Sequence, residues 1–488
     1  MRVPSGTTTV FVRRAFVAAL AAIYLVAFVS LASQIDWLIG SQGLLPAATW
    51  LGEQRGGVSF WQAPSIFWLG ASDPALRLAA VSGAALSLAL LLGVYPRFCL
   101  LALWALYLSF VSVGQTFFAF QWDNLLLETT LLACFVAPWS RAGFGRAPHP
   151  AAVFLLQWLL VRLHVESGLA KLLSGDPSWR NLTALITYYE TAPLPTSLGW
   201  VAHQLPPVAH RLSALGTLVI EILLPWGIWA PRSLRRVAIG CLALLQVLVL
   251  ATANYGFFNY LTLALCLWGL DDEDVRQLSR WCGANLPGRA QWQQQNQRPR
   301  ARAPWVWLMA GLWALVSLVP FSPFVPPLRG AFPRLQGWLA TWRAANAYHL
   351  FASMTYVRYE PVIEGSDDTL TWLPYEFRYK PGDVFRPPSW VAPHQPRVDF
   401  QLWFLLLRGR APRDRYFHNL VVRLLTNPQA LEGLFARDPF LGRPPHWLRL
   451  VVYRYRFTDW ATVWKTGAWW QREWIATYGP VTARDVSQ

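Results

Sequence analysis

Long apolar stretches dominate residues 1–320, and the last third of the chain lacks them. A helix needs about 20 apolar residues to cross the hydrocarbon core of a bilayer. The predicted membrane spans lie at about 15–33, 76–94, 98–114, 122–138, 151–173, 210–229, 236–252, 257–270 and 304–320. The eighth stretch is short enough for a re-entrant segment. The pattern predicts an α-helical polytopic membrane protein with about nine transmembrane helices.

Beyond the last span the pattern changes to short β-forming runs. Residues 356–363 and 375–379 flank the turn sequence Gly365-Ser366-Asp367-Asp368, which predicts a hairpin. The other predicted elements are two helices and one long strand, at 397–408, 417–425 and 447–457. This region is therefore predicted to form a β-rich α+β domain on one side of the membrane.

The same changes in pattern give the predicted domain organisation. A multi-span membrane core covers residues 1–282, and a polar cytoplasmic linker rich in Gln and Arg covers 283–303. The last transmembrane helix follows at 304–320, and the extracytoplasmic β-rich domain occupies 335–488.

Arginines are distributed unevenly between alternate loops. With a cytoplasmic N-terminus, the inner loops hold fifteen arginines, whereas the outer loops hold only Arg55 and Arg180. Membrane proteins keep positive loops in the cytoplasm. The C-terminal domain is therefore predicted to be periplasmic or lumenal. The first apolar run, of about 19 residues, exceeds a signal-peptide core and favours a retained span.

Composition excludes several function classes. The 488 residues are 54% hydrophobic and 14% charged, with a net charge of +16 that resides mostly in the inner loops. No nucleic-acid-binding motif accompanies this charge, so no nucleic acid partner is predicted. The five cysteines, Cys99, Cys134, Cys241, Cys266 and Cys282, form no CxxC pair, which argues against a thiol-exchange enzyme.

Polar and ionisable residues within spans are costly and mark candidate functional sites. The candidate cluster comprises Asp123, Asn124, Glu128, Arg162, His164, Glu166, Lys171, Asn254 and Asn259. Arg162 and Glu166 are four residues apart and are predicted to pair along one helix face. His164 and Lys171 share the opposite face, and Gly168 between them allows another helix to approach closely.

Two interpretations of this cluster remain open. In the first, Lys171 acts as a catalytic base, with His164, Glu128 and Asp123 orienting it or sharing its proton. In the second, the charges form structural pairs, and Lys171 extends toward the lipid headgroups. The chain carries no HExxH, GxSxG or P-loop motif. No cofactor and no metal site is predicted.

Several long motifs resemble the lipase maturation factor family. They lie at 120–129, 171–185, 188–195, 254–259, 363–368, 375–383 and 390–397. The resemblance implies a multi-span membrane core with a β-rich lumenal domain. Animal members reside in the endoplasmic reticulum membrane and are needed for homodimeric secreted lipases to mature. The compact, Arg-rich chain looks bacterial, which would place it in the plasma membrane.

The resemblance implies that the partner is an exported client protein such as a lipase. Membrane lipid is the other predicted partner. Aromatic and Arg side chains dominate protein-binding hot spots, so Arg378, Tyr379 and Trp390 are the candidate client-binding residues. The oligomeric state stays open.

A more distant resemblance supplies the alternative function. Gly168-Leu169-Ala170-Lys171-Leu172 is similar to a segment of the vitamin K-dependent carboxylase group, in which a lysine after a glycine is the base. That group has two adjacent lysines, whereas Ala170 precedes Lys171 here. The alternative is a membrane enzyme acting on a lipid, a quinone or an exported peptide.

Overall fold

The computed structural model describes residues 9–281, 283, 304–407 and 414–486. Cys282 and the predicted linker, apart from residue 283, lie outside the described residues. The helices before the linker are α1 Val10–Ala32, α2 Ile35–Ile39, α3 Ala47–Gln54, α4 Asp73–Leu91, α5 Pro96–Val113, α6 Gln121–Val136, α7 Pro150–Leu173, α8 Pro177–Arg180, α9 Ala184–Thr191, α10 Ser197–His203, α11 Pro207–Ile222, α12 Arg232–Thr252, α13 Phe258–Cys266 and α14 Asp272–Trp281. Those after it are α15 Pro304–Val316, α16 Pro333–Trp342, α17 Arg397–Phe404, α18 Arg415–Thr426 and α19 Trp460–Thr466.

Each predicted span contains a helix, but the helices differ in length. Within the described residues six apolar helical stretches are long enough to cross a membrane: α1, α4, α5, α7, α12 and the stretch Pro304–Phe324 that begins with α15. The remaining three, α6, α11 and α13, have 16, 16 and 9 residues. A 3₁₀ turn containing Pro225 extends α11, because proline cannot donate to an α-helical ladder. The chain is thus a helical membrane protein, and the number nine stays a prediction.

The helix ends that carry the loop arginines lie together at one end of the bundle. Asp272 of α14 accepts hydrogen bonds from the first amides of α1, at 3.0 Å from Val10 and 2.7 Å from Phe11. Such an acidic side chain satisfies the unpaired donors of a helix start. Arg13 donates to the carbonyl of Gly143 at 2.9 Å, and Arg97 donates to that of Ala137 at 2.9 Å.

The C-terminal region lies at the opposite end of the bundle. It contains the strands β1 Arg358–Ser366, β2 Leu373–Pro374, β3 Glu376–Phe377, β4 Phe435–Arg437, β5 Trp447–Phe457 and β6 Trp470–Val481. An antiparallel sheet has the order β2-β1-β5-β6, and β3 pairs with β4 separately.

The predicted strand at 447–457 is confirmed, and it is the central partner of the sheet. The predicted hairpin forms only in part, because β2 pairs with β1 over two residues before the chain leaves the sheet. The main partner of β1 is β5, with Val362 opposite Val451. Strand β6 was not predicted from the sequence. Eleven of its twelve residues are not buried, so it has no alternation of buried and exposed positions that would identify a strand.

One apolar core runs through the spans and the C-terminal region. Phe400 of α17 packs edge-on against Phe120 and Trp122 at the start of α6, with ring centroids 5.1 and 4.9 Å apart. Edge-on aromatic pairs of this kind add to the stabilisation from burial. The C-terminal region is therefore packed against the ends of the spans.

Candidate functional site

The polar residues predicted within the spans lie in several separate contacts rather than in one site. Two of these contacts join the spans to the C-terminal region, and we call them together the buried junction. It comprises Asp123, Arg397 and Tyr107 in one part, and Glu128, Arg162, Glu166, Asn346 and Tyr348 in the other.

Arg162 is the centre of one part of the buried junction. Its guanidinium lies 2.9 Å from the Glu166 carboxylate and 2.8 Å from that of Glu128 on the neighbouring helix α6. The Arg162 side chain is only 2% exposed. The predicted pair of Arg162 with Glu166 is confirmed, and Glu128 is a second partner.

The chain segment after α16 covers this ion cluster. The hydroxyl of Tyr348 donates to Glu128 at 2.8 Å, and its amide donates to Glu166 at 3.0 Å. Asn346 donates its amide and its side chain to Glu128, each at 2.9 Å, while its carbonyl accepts from Arg162 at 2.5 Å. Two carboxylates thus share one guanidinium and four further donors, which is how buried charges are satisfied.

Asp123 forms the other part with Arg397 of α17. The guanidinium donates to both carboxylate oxygens, at 2.8 and 3.0 Å, and also to the carbonyl of Phe117 at 2.6 Å. Tyr107 donates to Asp123 at 2.5 Å. Arg397 also lies 3.7 Å from the ring centre of Phe118. This bidentate geometry gives strong orientation as well as attraction.

Arg397, Asn346 and Tyr348 are partners that the sequence did not predict. The available signal was charge balance, because a buried Asp123 and a second carboxylate beside Arg162 both require donors. Arg397 lies in one of the motifs that carry the family resemblance, but spacing alone does not relate it to α6.

A further buried arginine, Arg358 of β1, joins the sheet to the loop after α9. It donates to the carbonyls of Glu190 and Pro193, at 3.0 and 2.9 Å, and to that of Ala192. Glu360 pairs with Arg358, and the ammonium of Lys380 lies 2.8 Å from the same carboxylate. Three charged side chains are thus buried within one connection.

Lys171 pairs with Glu221 of α11. Its ammonium lies 2.7 and 2.9 Å from the two carboxylate oxygens and 3.4 Å from the carbonyl of Ser167. Three acceptors match the three protons of an ammonium, an arrangement typical of a structural ion pair. A Cβ atom on Gly168 would lie 2.6 Å from Ile222, so the predicted close approach of a helix at this glycine is confirmed.

His164 contacts a different helix from Lys171. Its Nε2 lies 3.2 Å from the amide nitrogen of Gln246 in α12, and its Nδ1 lies 2.9 Å from the Leu160 carbonyl. The predicted residue Asn259 donates to the same Gln246 at 2.9 Å. Among the described residues, no hydrogen bond or ion pair joins His164, Lys171, Glu128 and Asp123 to one another, and each of them bonds to other partners.

Asn254 holds a loop of the C-terminal region. Its side-chain oxygen accepts from the amides of Val391 and Ala392, at 2.7 and 2.9 Å, and its nitrogen donates to the carbonyl of Ser389 at 2.9 Å. Trp390, between these residues, is 53% exposed. The buried Asn254 thus fixes the loop that presents this tryptophan.

The other two candidate client-binding residues, Arg378 and Tyr379, line a cleft of about 190 Å³. The Tyr379 ring lies 5.4 Å from that of His394, and its amide donates to Asp399 at 2.9 Å. Burial raises the pKa of Asp399, and burial lowers that of His394 to about 4. Trp390 is not among the residues that line this cleft.

A larger cleft of about 990 Å³ lies between the ends of the spans and the C-terminal region. One wall is the segment 349–357, which Asp176 holds by accepting from the Met354 amide and the Tyr356 hydroxyl, both at 2.7 Å. Burial alone would raise the pKa of Asp176, but these hydrogen bonds and those from Ser178 lower it. The Trp179 indole donates to the carbonyl of Phe351 at 2.8 Å.

Comparisons with known proteins agree with this two-part architecture. A family model described as the lipase maturation factor transmembrane domain matches residues 11–277. A second, described as the lipase maturation factor C-terminal domain, matches residues 344–480. No solved structure matches the chain.

Curated relatives match over nearly the whole chain. Lipase maturation factor 2 of Homo sapiens is 35% identical over 96% of this chain and 82% of its own length. The Xenopus laevis protein of the same name is 32% identical over 97% of this chain and 82% of its own length. Lipase maturation factor 1 of Bos taurus is 32% identical over 96% of this chain and 88% of its own length.

Proposed function

Because the chain belongs to the lipase maturation factor family, we propose that it is a membrane-bound maturation factor that assists exported proteins to fold. The names of its relatives point to lipases as clients, and our proposal extends to dimeric lipases and related secreted hydrolases. The observation that carries the proposal is the match of both regions to the two family models, over residues 11–277 and 344–480.

The proposed orientation puts the C-terminal region on the exported side. The arginine-bearing ends of α1, α5 and α12 lie at the far end of the bundle, where positive loops face the cytoplasm. The C-terminal region would then lie in the periplasm of a bacterium or in the endoplasmic reticulum lumen of a eukaryote. An exported client would reach it there.

Client binding is assigned to Arg378, Tyr379 and Trp390, of which Arg378 and Trp390 are exposed. Trp390 supports this best, because a large aromatic side chain is 53% exposed on a loop that Asn254 fixes. A preorganised loop loses little conformational freedom when a partner binds. Removing the whole C-terminal region would be a poor test, because Glu128, Asp123 and Glu166 would lose the buried donors that this region supplies to them.

A point substitution tests client binding more cleanly. The measurement is the activity of a co-expressed secreted lipase in cells that carry Trp390→Ala, with the level and melting temperature of the factor recorded. We expect at least about a fivefold loss of lipase activity, the size of a moderate hot spot, with unchanged melting. Trp464→Ala is the matched control, since Trp464 is 83% exposed on α19. Equal lipase activity in both variants would reject Trp390 as a client contact.

The enzyme alternative has its own test. Lys171 would need a free amine to act as a base, whereas its described neighbours are the two Glu221 oxygens and the Ser167 carbonyl. Lys171→Arg keeps the charge and removes the accessible base. We expect lipase maturation to survive this change in protein that folds. Loss of maturation with normal folding would support the enzyme instead.

A further inference from the structure

The cleft of about 990 Å³ lies at the depth where the spans end. Its lining includes the start of α6 at Gln121, the end of α7 at Leu173, and Phe324 at the end of the last apolar stretch. The ends of spans lie in the interfacial layer of a bilayer, which holds the headgroups and the first carbons of the acyl chains. The cleft therefore opens into the zone of the membrane that lipids already occupy.

The walls of the cleft are apolar and aromatic. Phe351 and Phe400 line it, and Phe404 and Leu407 remain 39% and 43% exposed. Leu173, on the wall formed by α7, is 46% exposed. These three exposed apolar side chains surround one concave surface. Such a grouping indicates a binding site rather than ordinary surface.

The charged side chain among the described lining residues is an arginine, whereas Asp176 is not one of them and has both carboxylate oxygens hydrogen-bonded to the wall. Among the described lining residues there is no Asp or Glu, and Arg329 supplies a guanidinium. Arg329 is exposed and donates through Nε to the carbonyl of Pro323 at 3.2 Å. In the part of the chain that the structure describes, it has no carboxylate partner. The remaining donors of this guanidinium fit an anionic group, and phosphate is one that Arg binds well.

We propose that this cleft binds one acyl chain of an anionic phospholipid, with the lipid phosphate at Arg329. The apolar walls would hold the chain, and the guanidinium would hold the headgroup at the rim. The protein would then carry a bound lipid between its spans and its C-terminal region, independently of any client on Trp390.

Hydrogen bonding favours a lipid over a polypeptide segment in this cleft. An extended polypeptide brings backbone N–H and C=O groups that must be paired when buried. Two polar side chains of the walls are already used, since the Gln121 oxygen accepts from the His349 amide and Ser174 accepts from the Asp176 amide. Of the described strand residues, Tyr359 of β1 alone lines the cleft, and one residue is too short a stretch to pair with an added strand. An acyl chain has no such requirement.

The test is native mass spectrometry of the full protein, purified in mild detergent and mixed with phosphatidylglycerol or with phosphatidylcholine. We expect wild type to retain one phosphatidylglycerol more strongly than phosphatidylcholine. Arg329→Gln should weaken retention of phosphatidylglycerol about fivefold, the effect of one cation near a headgroup, and leave phosphatidylcholine unchanged. Leu407→Glu should reduce retention of both lipids.

Matched controls keep the result specific. Arg334→Gln removes another exposed arginine, one that does not line the cleft, and Leu370→Glu charges a leucine that is 86% exposed elsewhere. Both should retain phosphatidylglycerol as wild type does. The proposal is overturned if Arg329→Gln and Arg334→Gln behave alike, or if a co-purified polypeptide rather than lipid occupies wild type and is lost in Leu407→Glu.

Discussion

The two ends of the helical bundle use charged side chains in opposite ways. At the arginine-rich end, Arg232 and Arg236 pair with Asp274 while 45% and 41% of their side chains stay exposed. At the other end, Arg162 and Arg397 are 2% and 3% exposed, and their partners are equally buried. The arginines of these pairs are therefore partly in water at one end, where Asp274 itself is 5% exposed, and in a low-dielectric interior at the other.

This difference separates two roles for charge in a membrane protein. Exposed arginines set the orientation of the protein through their total charge. The loss of one of them therefore changes orientation and stability little. A buried charge acts through its particular partner, because an unpaired ion in the interior is very costly. The buried junction is thus expected to be sensitive at every position, and the exposed arginines of the other end are expected to tolerate substitution.

The largest expected effect comes from breaking the pair of Asp123 with Arg397. Arg397→Gln leaves the buried Asp123 carboxylate without a cation, with Tyr107 as its remaining donor among the described residues, and should destabilise the protein by about 3–5 kcal/mol. The measurements are thermal unfolding in detergent and the rate at which protease cuts the C-terminal region. A loss below about 1 kcal/mol, as for a surface pair, would contradict the comparison.

A smaller change removes one hydrogen bond from the same junction. Tyr348→Phe deletes the hydroxyl that donates to Glu128 at 2.8 Å and should cost about 1.5–3 kcal/mol, since the acceptor is charged and buried. Thermal unfolding measures it. Tyr359→Phe is the control on a tyrosine that is 38% exposed, and it should melt as wild type. Equal melting of the two variants would remove Tyr348 from the junction.

Acid should weaken the same end of the molecule through His394, whose ring lies 2.9 Å from the Ser30 hydroxyl of α1. Burial and then Arg397 lower its pKa to about 4, against about 6.5 in the unfolded chain. The unfolded state therefore binds more protons between these values. Stability from neutral His394 is complete above pH 6.5 and is lost as the pH falls toward 4, by about 1–2 kcal/mol. His394→Gln should flatten this part of the melting profile, and an unchanged slope would reject the assignment.

The smallest effect is expected at the arginine-rich end. Arg236→Gln also removes a guanidinium from an aspartate, but Arg236 is 41% exposed and Asp274 keeps Arg232. The change in the free energy of unfolding should stay below about 1 kcal/mol. Thermal unfolding beside Arg397→Gln gives the comparison directly, and similar losses in both variants would mean that burial does not distinguish the two ends.

The sequence predicted features that depend on neighbouring residues. The apolar stretches contain the helices, the run at 447–457 forms β5, and Arg162 pairs with Glu166 one helical turn away. Each is visible because spacing within one element fixes which side chains share a face.

Partners that are distant in the chain left no such signal. Asp123 and Arg397 are 274 positions apart, so only the folded arrangement brings them together. Spacing suggested that His164 and Lys171 act on one face, but α11 and α12 supply them with different partners. Spacing along the chain therefore suggested one catalytic cluster, whereas in the fold its members have different partners.

One measurement tests most directly whether the buried charges join the two regions or carry out chemistry. It compares the activity of a secreted lipase supported by Asp123→Asn, by Arg397→Gln and by the double variant. In the double variant the amides keep hydrogen bonds to Tyr107 and Phe117 without a charge. If the pair holds the two regions together, each single variant should lose lipase maturation. The double variant should recover most of it, because replacing both partners of a buried ion pair leaves no unpaired charge. A double variant that folds as wild type but supports no more activity than the worse single variant would contradict the account.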